Sequence, residues 1–179
     1  MNQKQYIKSK IGQFNLKRRL KDLKRRLVVH NFNTAKTAGI IFNSPDEKTF
    51  ESIKHFLSFL SDKGINGFTL CYIPLKKVPA NVLLRNQFHF YCKTDLNWYY
   101  KPTKEIVEQF INKEFDILFD LSIKDYFTVN YVGKLSKATF KIGKQSETSY
   151  HDLTFEIKEN ETVDFLIEQI KHYLNILNN

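Results

Sequence analysis

A strand, a helix and a second strand follow one another between residues 38 and 74, and this order limits the fold more than any other feature of the chain. Ala38-Gly39-Ile40-Ile41-Phe42-Asn43 is a short apolar run of the kind that forms a strand buried on both faces. Asn43-Ser44-Pro45-Asp46 ends it. Ser44 and Asp46 suit helix N-caps, and Pro45 suits a first turn. Phe50, Ile53, Phe56, Leu57 and Leu60 then give a helix over about 46–62 one apolar face, and Asp62-Lys63-Gly64 closes it with glycine in the C′ place. Phe68–Pro74 is the second strand. Two strands joined by a helix imply a parallel sheet with right-handed crossovers.

The remainder repeats these signals. Residues 75–86 hold a short helix or loop around Pro79, and Gln87–Tyr91 alternates as a strand does. Residues 95–102 form an aromatic-rich loop. Thr103 opens a helix over about 104–113, with Ile106, Val107, Phe110 and Ile111 facing inward. Phe115–Leu121 reads as a third parallel-type strand before a helix over about 124–135. Ala138–Ile142 and Leu153–Ile157 read as further strands, and 161–177 as a closing helix. The expected architecture is an α/β three-layer domain over residues 38–179, Rossmann-like or flavodoxin-like, with a mostly parallel sheet of about five strands.

Ahead of it lies a segment of different character. Residues 1–30 carry ten Lys and Arg against Asp22 alone, which accounts for the whole formal net charge of +9. Residues 31–179 carry eighteen charges of each sign. The spacing predicts a basic amphipathic helix over about 4–29, with Ile7, Ile11 and Phe14 followed by a stripe of Leu16, Leu20, Leu23 and Leu27, and a linker over 30–37. Gly12 loosens its first turns. The stripe must bury against the domain, a second copy or a protein partner. The cations repel one another unless an anionic partner neutralises them. Lys10, Lys17, Arg18, Arg19, Lys21, Lys24, Arg25 and Arg26 are the candidate phosphate contacts, with RNA or the ribosome as the expected partner. The stripe has no Trp to anchor it at a lipid interface, which ranks a membrane lower.

Other classes find little support. Cys71 and Cys92 give neither a disulfide framework nor a CxxC pair, which suits a reducing, cytoplasmic setting. No apolar run reaches the roughly 20 residues of a membrane helix. Charges interrupt any signal-peptide core, and a Lys-rich start with few serines is unlike a transit peptide. The five histidines are scattered, and His89 with Cys92 is too few ligands for a metal site. There is no phosphate loop, no GxGxxG and no nucleophile elbow. No catalytic residue, metal or cofactor is assigned.

Asp116 and Asp120 flank the third strand at a spacing of four, on one face. Asp120 falls at its carboxyl end, where open α/β sheets bind ligands. It is either a catalytic acid or ribose contact, or a cap or turn residue. Ser44, Asp120 and Trp98 together outline a possible small-ligand crevice. Trp98, Tyr99 and Tyr100, with Lys93, Lys101 and Lys104 near them in sequence, either stack on bases or plug a sheet edge.

Phe115-Asp116-Ile117-Leu118-Phe119-Asp120-Leu121, followed after a helix by Leu135-Ser136-Lys137-Ala138-Thr139-Phe140-Lys141-Ile142-Gly143, is distinctive. With Asn97-Trp98 and the strand-helix-strand unit it resembles a family of small Bacteroidetes proteins of unknown function. The same segment is similar to the acceptor-side Rossmann-like half of heptosyltransferase-type glycosyltransferases, where a strand ending in Asp precedes a helix and a strand ending in Gly. That likeness implies the fold half. Asn43-Ser44-Pro45-Asp46 replaces the glycine-containing loop of those enzymes, and the chain has no room for their second domain. The reading favoured by the residues is a non-enzymatic, ribosome-associated RNA-binding protein. The alternatives are a degenerate glycosyltransferase-like domain holding a small ligand at the carboxyl ends of the strands, and a protein-interaction module.

Overall fold

The structure, a computed structural model, describes residues 3–43, 46–158 and 161–177. In chain order it runs α1 (Gln3–Lys21), β1 (Thr37–Asn43), α2 (Glu47–Asp62), β2 (Asn66–Ile73), α3 (Ala80–Leu83) and β3 (His89–Cys92). A single 3-10 turn at Lys93–Asp95 follows, then α4 (Glu105–Asn112), β4 (Ile117–Asp120), α5 (Phe127–Leu135), β5 (Phe140–Lys144), β6 (Leu153–Phe155) and α6 (Val163–Ile176).

The six strands form one sheet in the order β3-β2-β1-β4-β5-β6, every neighbouring pair parallel. This is the doubly wound Rossmann order rather than the flavodoxin one, and it places the reversal of winding between β1 and β4. Ile41 is paired with Asp120, and Asp120 with Gly143, so the carboxyl ends of β1, β4 and β5 lie side by side.

The layers follow from which faces are apolar. Phe50, Ile53, Phe56 and Leu60 of α2 and Leu166, Ile167, Ile170 and Leu174 of α6 bury against one side of the sheet. Val107, Phe110 and Ile111 of α4 and Val129, Tyr131, Val132 and Leu135 of α5 bury against the other. Asp46 caps α2 by accepting the Thr49 N–H at 2.9 Å, and Gly64 takes the left-handed conformation (φ 73°) that turns the chain out of that helix.

The amino-terminal segment departs from expectation. The helix ends at Lys21, and residues 22–36 run without regular secondary structure apart from one turn at 32–34. Tertiary contacts override helix propensity there. Arg25 donates through Nε to the Ala138 carbonyl (2.6 Å) and through its guanidinium to the Thr139 carbonyl (3.0 Å), and the Val28 N–H reaches the same Thr139 carbonyl. Asn31 donates to the Leu177 carbonyl at the end of α6 (2.8 Å). Residues 22–36 therefore form a strap across the amino ends of β1, β4 and β5.

The leucine stripe splits with the helix. Leu16 is buried and Leu20 half-buried against the α4–α5 side, Leu23 is half-buried, and Leu27, beyond the helix, is 56% exposed. The start of the stripe is covered by the chain's own body. Ile7, Ile11 and Phe14 face outward, with Phe14 72% exposed.

Candidate functional site

Two regions gather the chemistry: the carboxyl edge of the sheet and the outer face of the amino-terminal segment. At the carboxyl edge Asp120 is only 5% exposed. Its Oδ1 accepts the Ser122 N–H (3.0 Å). Its Oδ2 accepts the Tyr150 hydroxyl (2.6 Å) and lies 3.2 Å from His151 Nε2. Burial would push this carboxyl up, but the contacts with His151, Tyr150 and Ser122 outweigh it and hold the group below its ordinary value. The Tyr150 hydroxyl is pushed well above its ordinary range, by burial first and by the neighbouring carboxylate second.

The packing that closes this corner depends on two glycines. A Cβ on Gly133 of α5 would fall inside the Tyr150 phenol, and one on Gly143 of β5 would lie 2.5 Å from His151 Nε2. Tyr150 and His151 thus sit down onto bare backbone and roof over Asp120. His151 Nδ1 is 3.0 Å from Ser149 Oγ, so Ser149, His151 and Asp120 line up in contact although their order in the sequence suggests no such relay. The arrangement clasps the β5–β6 connection. The carboxylate is shared with Tyr150, and the imidazole is nearly covered. Nearby, the buried hydroxyls of Tyr91, Ser122 and Thr128 complete no hydrogen bond of good geometry among the described residues.

Beside this corner a cleft of about 350 Å³ opens at the reversal point, lined by Asn43, Asp46, Lys48, Ile123, Lys124, Glu161 and Asp164 among others. Neither Asp120 nor Trp98 lines it, and Ser44 lies outside the described residues. Three carboxylates face two lysines there, and Asp46 already occupies the start of α2, where a dinucleotide-binding domain would seat a phosphate.

Asp116 is a structural acceptor. Its Oδ2 takes the N–H groups of Lys36 (2.7 Å) and Thr37 (2.9 Å) and the Thr37 hydroxyl (3.1 Å). Desolvation opposes its ionisation, and those donors, with His30 close by, keep the group below its ordinary value. His89 Nδ1 meets the Thr69 carbonyl, and its ring stacks on Phe68. Among the described residues no three His, Cys, Asp or Glu side chains gather as a metal site would require, and no helix is long and apolar enough to cross a membrane.

The eight candidate phosphate contacts fall into two groups. Arg19 is bound bidentately by Glu108 of α4 (2.8 and 2.9 Å) and donates to the Tyr131 hydroxyl of α5 (3.2 Å), which in turn donates to Asn15. Arg25 pairs with Asp152 as well as with the two carbonyls below β5. These two guanidinium groups fasten the segment to the body. Lys10, Lys17, Arg18, Lys21, Lys24 and Arg26 are exposed and make no ion pair among the described residues. The same holds for Lys4 and the half-buried Lys8, while Lys10 lies over the Tyr6 ring.

The loop carrying Trp98 is tightly built. The Asn97 side chain accepts the N–H groups of Tyr99 (3.1 Å) and Lys101 (2.9 Å), and Tyr100 takes a left-handed conformation (φ 68°). Trp98 is 57% exposed and Tyr99 half-buried, with the two rings edge-to-face. The loop is seated against α1, for a Cβ on Gly12 would come within 2.6 Å of the Tyr99 carbonyl oxygen.

Sequence reasoning missed the partners: Glu108, Asp152, Tyr150 and His151. The run Ser149-Tyr150-His151-Asp152 between two strands was the available signal for the last three. Residues 8–177 match the model of a family of unknown function, DUF6913, and the chain belongs to that family. The matched region takes in most of the basic segment. No curated protein matches the chain.

Proposed function

We propose that the protein binds RNA through the outward side of α1 and the strap, without catalysing a reaction, and that the ribosome is the setting of that RNA. One observation carries the reading. The fold commits Arg19 and Arg25 to Glu108 and Asp152, yet leaves Lys4, Lys8, Lys10, Lys17, Arg18, Lys21, Lys24 and Arg26 without a carboxylate partner among the described residues. A segment held rigidly against a body of zero net charge, with its remaining cations turned to solvent, is pre-organised for a phosphate backbone. A cytoplasmic setting suits such a partner and the absence of any disulfide at Cys71 and Cys92.

The distant likeness to heptosyltransferase-type acceptor halves stops, on this reading, at the strand-helix-strand pattern. The roofed Asp120 and the acidic cleft offer a sugar nucleotide no phosphate seat. Restriction of the family to Bacteroidetes stays part of the same proposal.

The test replaces Lys17, Arg18, Lys21, Lys24 and Arg26 with Gln while keeping Arg19 and Arg25, so that the anchoring survives. RNA binding is then followed by fluorescence anisotropy from 50 to 300 mM salt. Each lost phosphate contact removes roughly 0.7–0.9 from the log–log salt slope, so the variant's slope flattens by about 3.5 to 4.5 if all five touch phosphate. An unchanged slope and affinity would refute the reading. Co-purification of ribosomal RNA with the tagged protein, lost on ribonuclease treatment, checks the ribosomal setting.

A further inference from the structure

We infer that the RNA bound here is unpaired, and that Trp98 stacks on one of its bases at the end of the basic face. The inference rests on the RNA-binding reading and names the class of RNA. Three observations carry it, the first two independent of the cations.

First, Trp98 is turned outward although tryptophan is highly buried on average, and it is 57% exposed, with Tyr99 as its edge-to-face ring partner. Second, the loop is constructed to hold it there. Two hydrogen bonds to the Asn97 side chain, the bridge between Leu96 and Pro102 and the left-handed Tyr100 fix the backbone on either side of the ring. A non-glycine residue in that conformation costs about 1–3 kcal/mol, and such strain concentrates at binding positions. Third, the loop is not remote from the cations. Tyr99, the next residue, rests on Gly12 of α1, with Lys8 and Lys10 within a turn of the contact, and Lys101 follows in the loop itself.

A cationic track that ends in a rigid, exposed aromatic face is what single-stranded nucleic acids use. The backbone follows the charges, and a base, whose π-face is available only when it is unpaired, stacks on the ring. A duplex keeps its bases inside and finds only the charges. Lipid is the competing partner for such a surface, because Ile7, Ile11 and Phe14 are exposed among the same cations. Trp98 would then sit at the headgroup level as an interfacial anchor rather than stack on a base.

Trp98 is the sole tryptophan, so its fluorescence reports on this position alone. The full chain is titrated with a twelve-nucleotide oligo(U), with a blunt RNA duplex of equal length and with vesicles of mixed phosphatidylcholine and phosphatidylglycerol. The expected result is quenching by oligo(U), with little change for the duplex. Trp98→Ala weakens oligo(U) binding by about 5- to 100-fold while duplex binding and the thermal midpoint stay unchanged, and Trp98→Phe retains most of the affinity. Oligo(U) binding with unquenched emission and no effect of Trp98→Ala overturns the inference but leaves RNA binding standing. Failure of both RNAs to bind removes the RNA reading itself. A blue shift on the vesicles without RNA binding assigns the surface to a membrane and overturns both.

Discussion

Gly133→Ala separates two lines of reasoning cleanly. Gly133 lies inside α5, where alanine is ordinarily better by about 1 kcal/mol, so helix propensity alone predicts a more stable protein. The packing predicts the reverse. The new methyl group would occupy the space of the Tyr150 phenol, and the ring has to leave. Its hydroxyl then gives up the 2.6 Å hydrogen bond to Asp120. A hydrogen bond to a charged group contributes about 1.5–3 kcal/mol, and forcing an added carbon into a packed site costs about 1–3 kcal/mol. Set against the propensity gain, the net loss is about 1.5–5 kcal/mol. For a chain of this size that lowers the thermal midpoint by roughly 3–20 °C. Urea unfolding and a thermal scan followed by circular dichroism measure it. The decisive comparison is a second background: with Tyr150→Ala already in place, Gly133→Ala should change sign and stabilise by about 0.5–1 kcal/mol. A midpoint that rises in the wild-type background would show that Tyr150 does not sit on this glycine.

Two further outcomes follow from charged groups inside the fold. Lys141 is buried on β5, donating to the Gly133 and Lys134 carbonyls at 2.9 and 3.1 Å, and burial, with Arg25 nearby, brings its amine down to about 7 against the opposing pull of Asp152. The unfolded chain therefore binds the extra proton between pH 7 and about 10.4, and stability rises through that window by at most about 1.4 kcal/mol per pH unit. Lys141→Met should flatten that part of a stability-versus-pH curve, and an unaltered rise would mean that Lys141 is not its source. Arg19→Ala should cost about 0.5–1.5 kcal/mol, since the pair is part-exposed, and should speed tryptic cleavage after Lys17, Arg18 and Lys21. Cleavage at the wild-type rate would show that α1 is held by other contacts.

The parts of the fold that announce themselves in the sequence are those governed by local rules. Ile40 and Ile41, the α2 stripe from Phe50 to Leu60, the Asp46 cap and Gly64 each act over a few residues, and the parallel sheet follows from their order. The end of α1 is different. Nothing within residues 17–29 stops the helix. It ends because Arg25 reaches carbonyls more than a hundred residues away. The same holds for the outward placement of Ile7, Ile11 and Phe14, which follows from Gly12 and Leu16 taking the contact with the body. At the carboxyl edge Asp120 drew notice by its position, but its role depends on Tyr150 and His151 arriving from a loop some 30 residues further on. The excess of positive charge was plain in the sequence. Which cations are spent on the fold and which remain for a partner was not, because Glu108 and Asp152 are identifiable only once α4 and the β5–β6 connection are in place.

The hydrogen bond from Asn31 to Leu177 spans 146 positions of the chain. At synthesis rates of about 5–20 residues per second, Asn31 waits on the order of 7 to 30 s for that acceptor. Arg19 and Arg25 wait for Glu108 and Asp152, 89 and 127 positions further on, so a nascent chain exposes both guanidinium groups together with the other cations until those carboxylates emerge.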